Sequence, residues 1–161
     1  MRNEIKFESD TVSIVETNVD DVTGEVLAQT IEILISAGAY DATVSSFIGK
    51  KGRMGQTVRA VCSRENVQKL AEIMVEETGT LGVKIVEYKR LIVPRKEVVV
   101  PIKLRKFSGV VKVKVAVLGS GYRIKPELAE AKKISDQEGI PLRKVLEEIT
   151  KATESLLESR S

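Results

Sequence analysis

Six segments of the chain alternate apolar and polar residues, which is the pattern of β-strands with one buried face. They lie at residues 11–17, 40–48, 56–63, 81–93, 96–104 and 109–119. Four other segments repeat apolar residues at helical spacing, and they begin after Thr23, after Ser63, near Glu127 and at Pro141. Gly38, Gly79 and Gly139 follow three of these segments and are predicted to end the helices.

The order of these elements predicts an α+β fold. Residues 11–94 read β-α-β-β-α-β, the order of a ferredoxin-like sandwich with two helices on one face of an antiparallel sheet. Residues 95–161 are predicted to form a ββαα subdomain that packs on the first domain or on a neighbouring subunit. Within it, the stretch GSGYRIKP at 119–126 is predicted to be a flexible connection, with Pro126 in the first turn of a helix.

The composition excludes several classes of chemistry. The 161 residues include no histidine, so this chain alone cannot use imidazole acid–base catalysis or ligate zinc or nickel through histidine. A metal bound by its own side chains is expected to be a hard cation held by oxygen. The lone Cys62 excludes an internal disulfide and is expected in the core. A cytoplasmic protein without membrane spans is expected, because the sequence has no long apolar run and its start lacks the basic and then apolar arrangement of a secretory signal.

The net charge of +3 is unevenly distributed. Between Lys84 and Lys125 there are twelve basic and two acidic residues, whereas the remainder of the chain carries a net charge of −7. This basic middle indicates an anionic partner. Lysines that block edge-to-edge strand pairing explain it equally well. RNA recognition by an RRM-like sheet is disfavoured, since the chain has three Phe, three Tyr and no Trp.

Acidic residues cluster in the stretch VETNVDDVTGE, where the first predicted strand meets the first helix. Acidic residues near a helix start favour the positive end of the helix dipole. Asp20 and Asp21 stand upstream of an adequate cap, Thr23, and such carboxylates also hold Mg²⁺ or Mn²⁺ against a polyphosphate. The residues themselves leave both interpretations open.

The turn IGKKGRMG at 48–55 is the clearest candidate for anion binding. Its three glycines free the backbone to turn N–H groups outward, and Lys50, Lys51 and Arg53 add positive charge. It is not a Walker A loop, because it joins two strands. A basic hairpin turn without a ligand is an equally good interpretation. Weaker candidates are the hydroxyls of EETGTLG at 76–82 and further loop cations at Arg95, Arg123 and Lys125.

Four motifs occur in an order that resembles a known family. They are ETNVDDVTGE, GKKGRMG, EETGTLGV and VPRKEV, and the similarity continues into the tail KPELAEAKKISDQEGIPLRKVLEEI. Together they are similar to the C-terminal region of LarC-type nickel-insertion proteins. The resemblance extends over nearly the whole chain.

The resemblance implies a CTP-dependent nickel chelatase, or cyclometallase, a lyase that acts in lactate racemase maturation. Such an enzyme inserts nickel into pyridinium-3,5-bisthiocarboxylic acid mononucleotide through a cytidylylated intermediate and yields the nickel-pincer nucleotide cofactor. The C-terminal region is implied to bind CTP, a co-substrate, with Mg²⁺ or Mn²⁺, while nickel is the substrate metal. Activity is expected to need the separate N-terminal portion of the same system, and a homo-oligomer is expected.

The resemblance also implies a set of site residues on this chain. The expected metal-binding residues are Asp20 and Asp21. The expected nucleotide-binding residues are Asn18, Lys50, Lys51, Arg53, Thr78, Thr80, Arg95 and Lys125. The cations would neutralise phosphate oxygens, and the threonines would donate hydroxyl groups to ribose or phosphate.

Two alternative hypotheses remain. The chain could be a non-enzymatic oligomerisation module, in which Asp20 and Asp21 only lie near a helix cap. Less favoured is a sequence-tolerant nucleic-acid-binding domain that uses residues 84–125 and binds more weakly as salt rises.

Overall fold

The computed structural model describes residues 4–119 and 121–159. The chain divides into two compact units. The first unit is Ser9–Leu91, and the second unit combines the residues up to Glu8 with those from Ile92 onward.

The first unit has the predicted order β-α-β-β-α-β. Its elements are β1 Glu8–Val19, α1 Gly24–Ser36, β2 Asp41–Ile48, β3 Met54–Cys62, α2 Val67–Thr78 and β4 Lys84–Ile92. The strands are ordered β2-β3-β1-β4, and β3 runs antiparallel to both β1 and β2. This is the strand order of a ferredoxin-like sandwich, and the predicted α+β class is confirmed.

Alternate residues of β1 bury one face of this sheet. Val15, Thr17 and Val19 are buried, and the core they join includes Leu34 of α1 and Leu70 of α2. Because side chains of a strand alternate between faces, Glu16 and Asn18 lie on the opposite, solvent-facing side. Both helices therefore cover one face only.

Charged side chains cross the open face between strands. Glu16 on β1 accepts hydrogen bonds from Arg59 of β3 at 2.6 Å and from Lys84 of β4 at 3.2 Å. The bond from Arg59 has the largest effect and lowers the pKa of Glu16; burial opposes it, and the bond from Lys84 lowers the pKa further. Arg90 donates from Nε and Nη2, one edge of its guanidinium group, to the two carboxylate oxygens of Asp10, and it lowers the pKa of that carboxyl. These pairs fix β1 between its two neighbours.

The predicted helix ends are largely confirmed. Gly79 and Gly139 are left-handed C-caps with φ of 68° and 66°, a conformation that favours glycine. Thr23 is the N-cap of α1 but makes no side-chain cap hydrogen bond. The residue expected to cap α2 directly, Ser63, instead precedes a short 3₁₀ turn at Arg64–Asn66.

The second unit is a three-stranded sheet with two helices. Its elements are β5 Arg95–Lys103, β6 Ser108–Leu118, β7 Gly121–Pro126, α3 Leu128–Glu138 and α4 Leu142–Glu158. The strand β7 pairs antiparallel with β6, so the prediction of a flexible connection at 119–126 was wrong for 121–126. Pro126 closes this strand instead of opening a helix, and Glu127 is the N-cap of α3. Ser120 lies outside the described residues.

The second unit has its own core. Val100 and Val113 of the sheet and Val145 and Ile149 of α4 are among its most buried members. At the end of α3, the carboxylate of Glu138 is buried and accepts a hydrogen bond from the Lys106 N–H at 2.8 Å, which fastens the β5–β6 turn to the helix.

Within the described residues, no helix is both long and apolar enough to cross a membrane.

Candidate functional site

The turn between β2 and β3 closes through its own backbone. Gly49 N–H donates to Arg53 O at 2.7 Å, Gly52 N–H to Gly49 O at 3.3 Å, and Arg53 N–H to Lys50 O at 3.4 Å. These three amides are therefore used inside the turn, whereas the glycines were predicted to turn N–H groups outward. The turn can attract an anion mainly through the side chains of Lys50, Lys51 and Arg53.

Lys51 has an unusual backbone conformation. Its φ of 60° and ψ of 23° place it in the left-handed region, which favours glycine, and Gly52 follows with a φ of 71°. A non-glycine residue pays a conformational cost for this geometry, and such residues concentrate at binding sites. The conformation keeps a cationic side chain at the tip of the turn.

The end of β1 and the β2–β3 turn form an open pocket of about 620 Å³. This size lies within the range of small-molecule sites. The residues that line it are Asn18, Val19, Asp20, Phe47, Gly49, Lys50, Lys51 and Arg53. Five of the ten residues that the sequence predicts as site residues therefore meet in one place, although the chain separates them by about thirty positions.

The pocket combines three cations with one carboxylate. Arg53 approaches Asp20, with Nη1 and Oδ2 3.9 Å apart, and both side chains remain more than half exposed. A surface pair of this kind contributes little to stability. The cations therefore remain accessible, and the pocket can take a ligand of higher negative charge than one carboxylate.

Asp21 follows Asp20 but does not line the pocket. Neither residue is the cap of α1, since Thr23 holds that position. Among the described residues there is no group of three or more acidic, cysteine or histidine side chains that could hold a metal ion. A cation at Asp20 would thus take most of its ligands from phosphate and water, which is how Mg²⁺ commonly binds at phosphate sites.

Asn18 is held in position by the neighbouring strand. Its Oδ1 accepts a hydrogen bond from Thr57 Oγ1 at 3.1 Å, and the two residues stand directly opposite in the β1–β3 register. The Asn18 amide group is thereby oriented on the open face of the sheet, beside the pocket.

The two predicted threonines do not line this pocket. Thr78 is 7% exposed, and its hydroxyl donates to Met74 O at 2.6 Å within α2, so its proton is not offered to a ligand. Thr80 lies 2.6 Å from Thr17, hydroxyl to hydroxyl, and Thr17 also donates to Gly82 O at 2.8 Å. These bonds tie the α2–β4 loop to β1 one residue before Asn18.

Arg95 and Lys125 belong to the second unit. Arg95 opens β5 and Lys125 lies in β7, where each pairs with a residue of β6. Neither lines the pocket at the β2–β3 turn. The second unit has a further pocket, of about 540 Å³, whose walls are mainly apolar and include Val98, Val115 and Val117.

The sequence did not indicate Phe47, although its ring lines the pocket. A Cβ added to Gly55 would lie 2.5 Å from Phe47 Cζ and 2.9 Å from Val19 O, so only glycine leaves room for the ring. The available signal was an aromatic residue just before the turn, opposite a glycine in the returning strand.

Fold and site together define an α+β domain with a cationic surface pocket at one end of a ferredoxin-like sheet. The family model described as nickel insertion protein matches residues 1–146, so the chain belongs to the nickel insertion protein family. This confirms the resemblance that the four sequence motifs predict.

Relatives described as nickel insertion proteins align with most of the chain. The protein of Methanothermobacter thermautotrophicus is 41% identical over 142 residues, covering 86% of this chain and 34% of the relative. That of Methanococcoides burtonii is 39% identical over 140 residues, covering 85% and 35%. The chain therefore spans about a third of the length of the curated relatives it matches.

Two solved structures resemble the fold. The apo form of LarC2, the C-terminal domain of a cyclometallase involved in synthesis of the NPN cofactor of lactate racemase, has a TM-score of 0.79. It is 30% identical, and the match covers 91% of this chain and 99% of that domain. A protein of Methanopyrus kandleri AV19 shares the fold with a TM-score of 0.65, 24% identity and coverage of 88% and 86%.

Proposed function

We propose that this chain is the nucleotide- and metal-binding C-terminal part of a CTP-dependent cyclometallase. The whole enzyme would insert nickel, its substrate metal, into pyridinium-3,5-bisthiocarboxylic acid mononucleotide through a cytidylylated intermediate. One observation carries the proposal: Asp20 and the cations Lys50, Lys51 and Arg53 line a single pocket. Membership of the nickel insertion protein family and the likeness to LarC2 support it.

The pocket suits a nucleoside triphosphate for electrostatic reasons. Lys50, Lys51 and Arg53 offset the charge of phosphate oxygens, and they are accessible for it because they lie on an exposed turn. Asp20, with phosphate oxygens, is the residue that would hold Mg²⁺ or Mn²⁺. The donor set fits such a hard cation, which when bound supplies further charge neutralisation at the phosphates.

In the proposed chemistry a nucleophilic group of the mononucleotide substrate attacks the α-phosphorus of CTP; the bond from that phosphorus to the bridging oxygen breaks, which transfers the cytidylyl group and releases pyrophosphate. The chain has no histidine, so it contributes position and charge stabilisation instead of an imidazole base. The three cations orient the triphosphate and stabilise the negative charge that develops on the leaving pyrophosphate. The mononucleotide substrate and the nickel would be handled together with the remaining portion of the enzyme.

Titration calorimetry with CTP, ATP, GTP and UTP in the presence of Mn²⁺ tests the proposal. We expect all four to bind through the shared triphosphate and CTP to bind most tightly. Equal affinities would remove the selectivity for cytosine. Absence of binding by every nucleotide would remove the nucleotide site itself.

We further propose that copies of the chain associate through β4. This strand is an edge of the four-stranded sheet, and its apolar residues are exposed on both faces: Ile85, Val86, Tyr88 and Leu91. A long exposed edge strand with apolar side chains is a template for strand pairing between molecules.

Replacing Val86 and Leu91 with lysine should dissociate the oligomer, because lysine on an edge strand opposes pairing. The matched control is Val99→Lys/Val110→Lys, which adds the same charge to exposed positions of the second unit. We expect light scattering to show an oligomer for the native chain and the control, and a monomer for the β4 variant. A native chain that is already monomeric would refute the association.

A further inference from the structure

The ring of Phe47 forms part of the pocket wall beside the cationic turn. It is only partly buried, and it lies against two glycines of the hairpin. A Cβ at Gly49 would approach Phe47 Cε2 to 3.0 Å, and one at Gly55 would approach Cζ to 2.5 Å. The ring therefore occupies space that the two glycines leave, and the hairpin backbone holds it in place.

A hydrogen-bonding group lies on the same face of the sheet. Phe47 pairs with Gly55, and two residues further along β3 Thr57 pairs with Asn18. Since residues two apart on a strand share a face, the ring and the Asn18–Thr57 pair lie side by side. Asn18 Oδ1 accepts a hydrogen bond from Thr57, which leaves the Asn18 N–H₂ group to donate to a ligand.

We propose that this pocket selects anions that carry a planar aromatic ring, with Phe47 as the stacking residue and Asn18 as a donor to a ring carbonyl oxygen. The inference rests on the proposed function, in which the cations hold phosphate. Inorganic polyphosphate can satisfy Lys50, Lys51 and Arg53, but it leaves the Phe47 ring in water. A nucleoside phosphate contacts both the cations and the Phe47 ring, so the ring makes the pocket bind nucleotides more tightly than inorganic phosphates.

The experiment compares CTP with inorganic tripolyphosphate, each with Mn²⁺, on the native chain and on Phe47→Leu. Leucine keeps an apolar side chain against the glycines but cannot stack. Stacking of one base on an aromatic side chain corresponds to a change in affinity of roughly five- to 150-fold. We expect Phe47→Leu to bind CTP about tenfold more weakly, to bind tripolyphosphate as before, and Phe47→Tyr to restore CTP binding.

The outcomes separate this inference from the proposed function. If Phe47→Leu weakens both ligands equally, the ring acts only by packing the turn and the inference is overturned. Unchanged CTP affinity in Phe47→Leu overturns it as well. If the native chain binds tripolyphosphate and CTP equally, the phosphate site stands and ring selection fails. If it binds neither ligand, the proposed nucleotide site fails first and this inference with it.

Discussion

The double variant Lys50→Ala/Arg53→Ala is expected to bind CTP with Mn²⁺ at least about 100-fold more weakly than the native chain. A hydrogen bond that involves a charged group contributes about 1.5–3 kcal/mol, and the variant removes two such groups from one turn. Both side chains are exposed, so removing them should weaken ligand binding without destabilising the fold. Titration calorimetry measures the change in affinity.

Arg64→Ala/Lys89→Ala is the matched control for this prediction. It removes the same two charges from the first unit, at positions that do not line the pocket. We expect it to bind CTP within about twofold of the native chain at ordinary ionic strength, because distant exposed charges are screened. A similar loss in both double variants would show that net charge, and not the turn, attracts the nucleotide.

Gly55→Ala is expected to destabilise the first unit by about 2–3 kcal/mol, the upper part of the range for overpacking. The added Cβ would lie 2.9 Å from the carbonyl oxygen of Val19, which is backbone and cannot rotate away, and 2.5 Å from Phe47 Cζ. Such a loss is a large fraction of the total stability of a small domain. The free energy of unfolding in urea measures it.

The control for that substitution is Gly24→Ala. Gly24 opens α1, and no atom lies within 4 Å of the position its Cβ would take. Alanine has a higher helix propensity than glycine, so this change should be neutral or slightly stabilising. Equal unfolding midpoints for the two variants would mean that β1 and β3 can move apart without cost at Gly55.

The elements of the first unit were predicted well because each has a clear apolar pattern in its own sequence. Apolar alternation and helical spacing defined the six elements, and glycine marked the ends of α1 and α2. The strand β7 was missed because glycine and proline in its sequence indicate a loop. The strand forms because β7 pairs with the valine-rich β6, and this tertiary pairing cannot be inferred from the residues of β7 alone.

The candidate site was predicted in part for a similar reason. Charge is visible in the sequence, so Lys50, Lys51 and Arg53 could be identified from the turn alone. The position of Phe47 over Gly55 depends on the register between β2 and β3, which local patterns do not determine. Thr78 was predicted to donate its hydroxyl group to ribose or phosphate, but α2 extends through this residue, and the hydroxyl donates a hydrogen bond to the Met74 carbonyl oxygen four residues earlier.

The division of the chain into units bears on how it folds during synthesis. The first unit is one uninterrupted stretch, so all its contacts can form once Leu91 has left the ribosome. The second unit combines the residues up to Glu8 with those from Ile92 onward, so it can be completed only after α4 has been translated. The nascent polypeptide therefore completes the cation-bearing hairpin first, while the segment ahead of β1 stays without its packing partners until α4 has been translated.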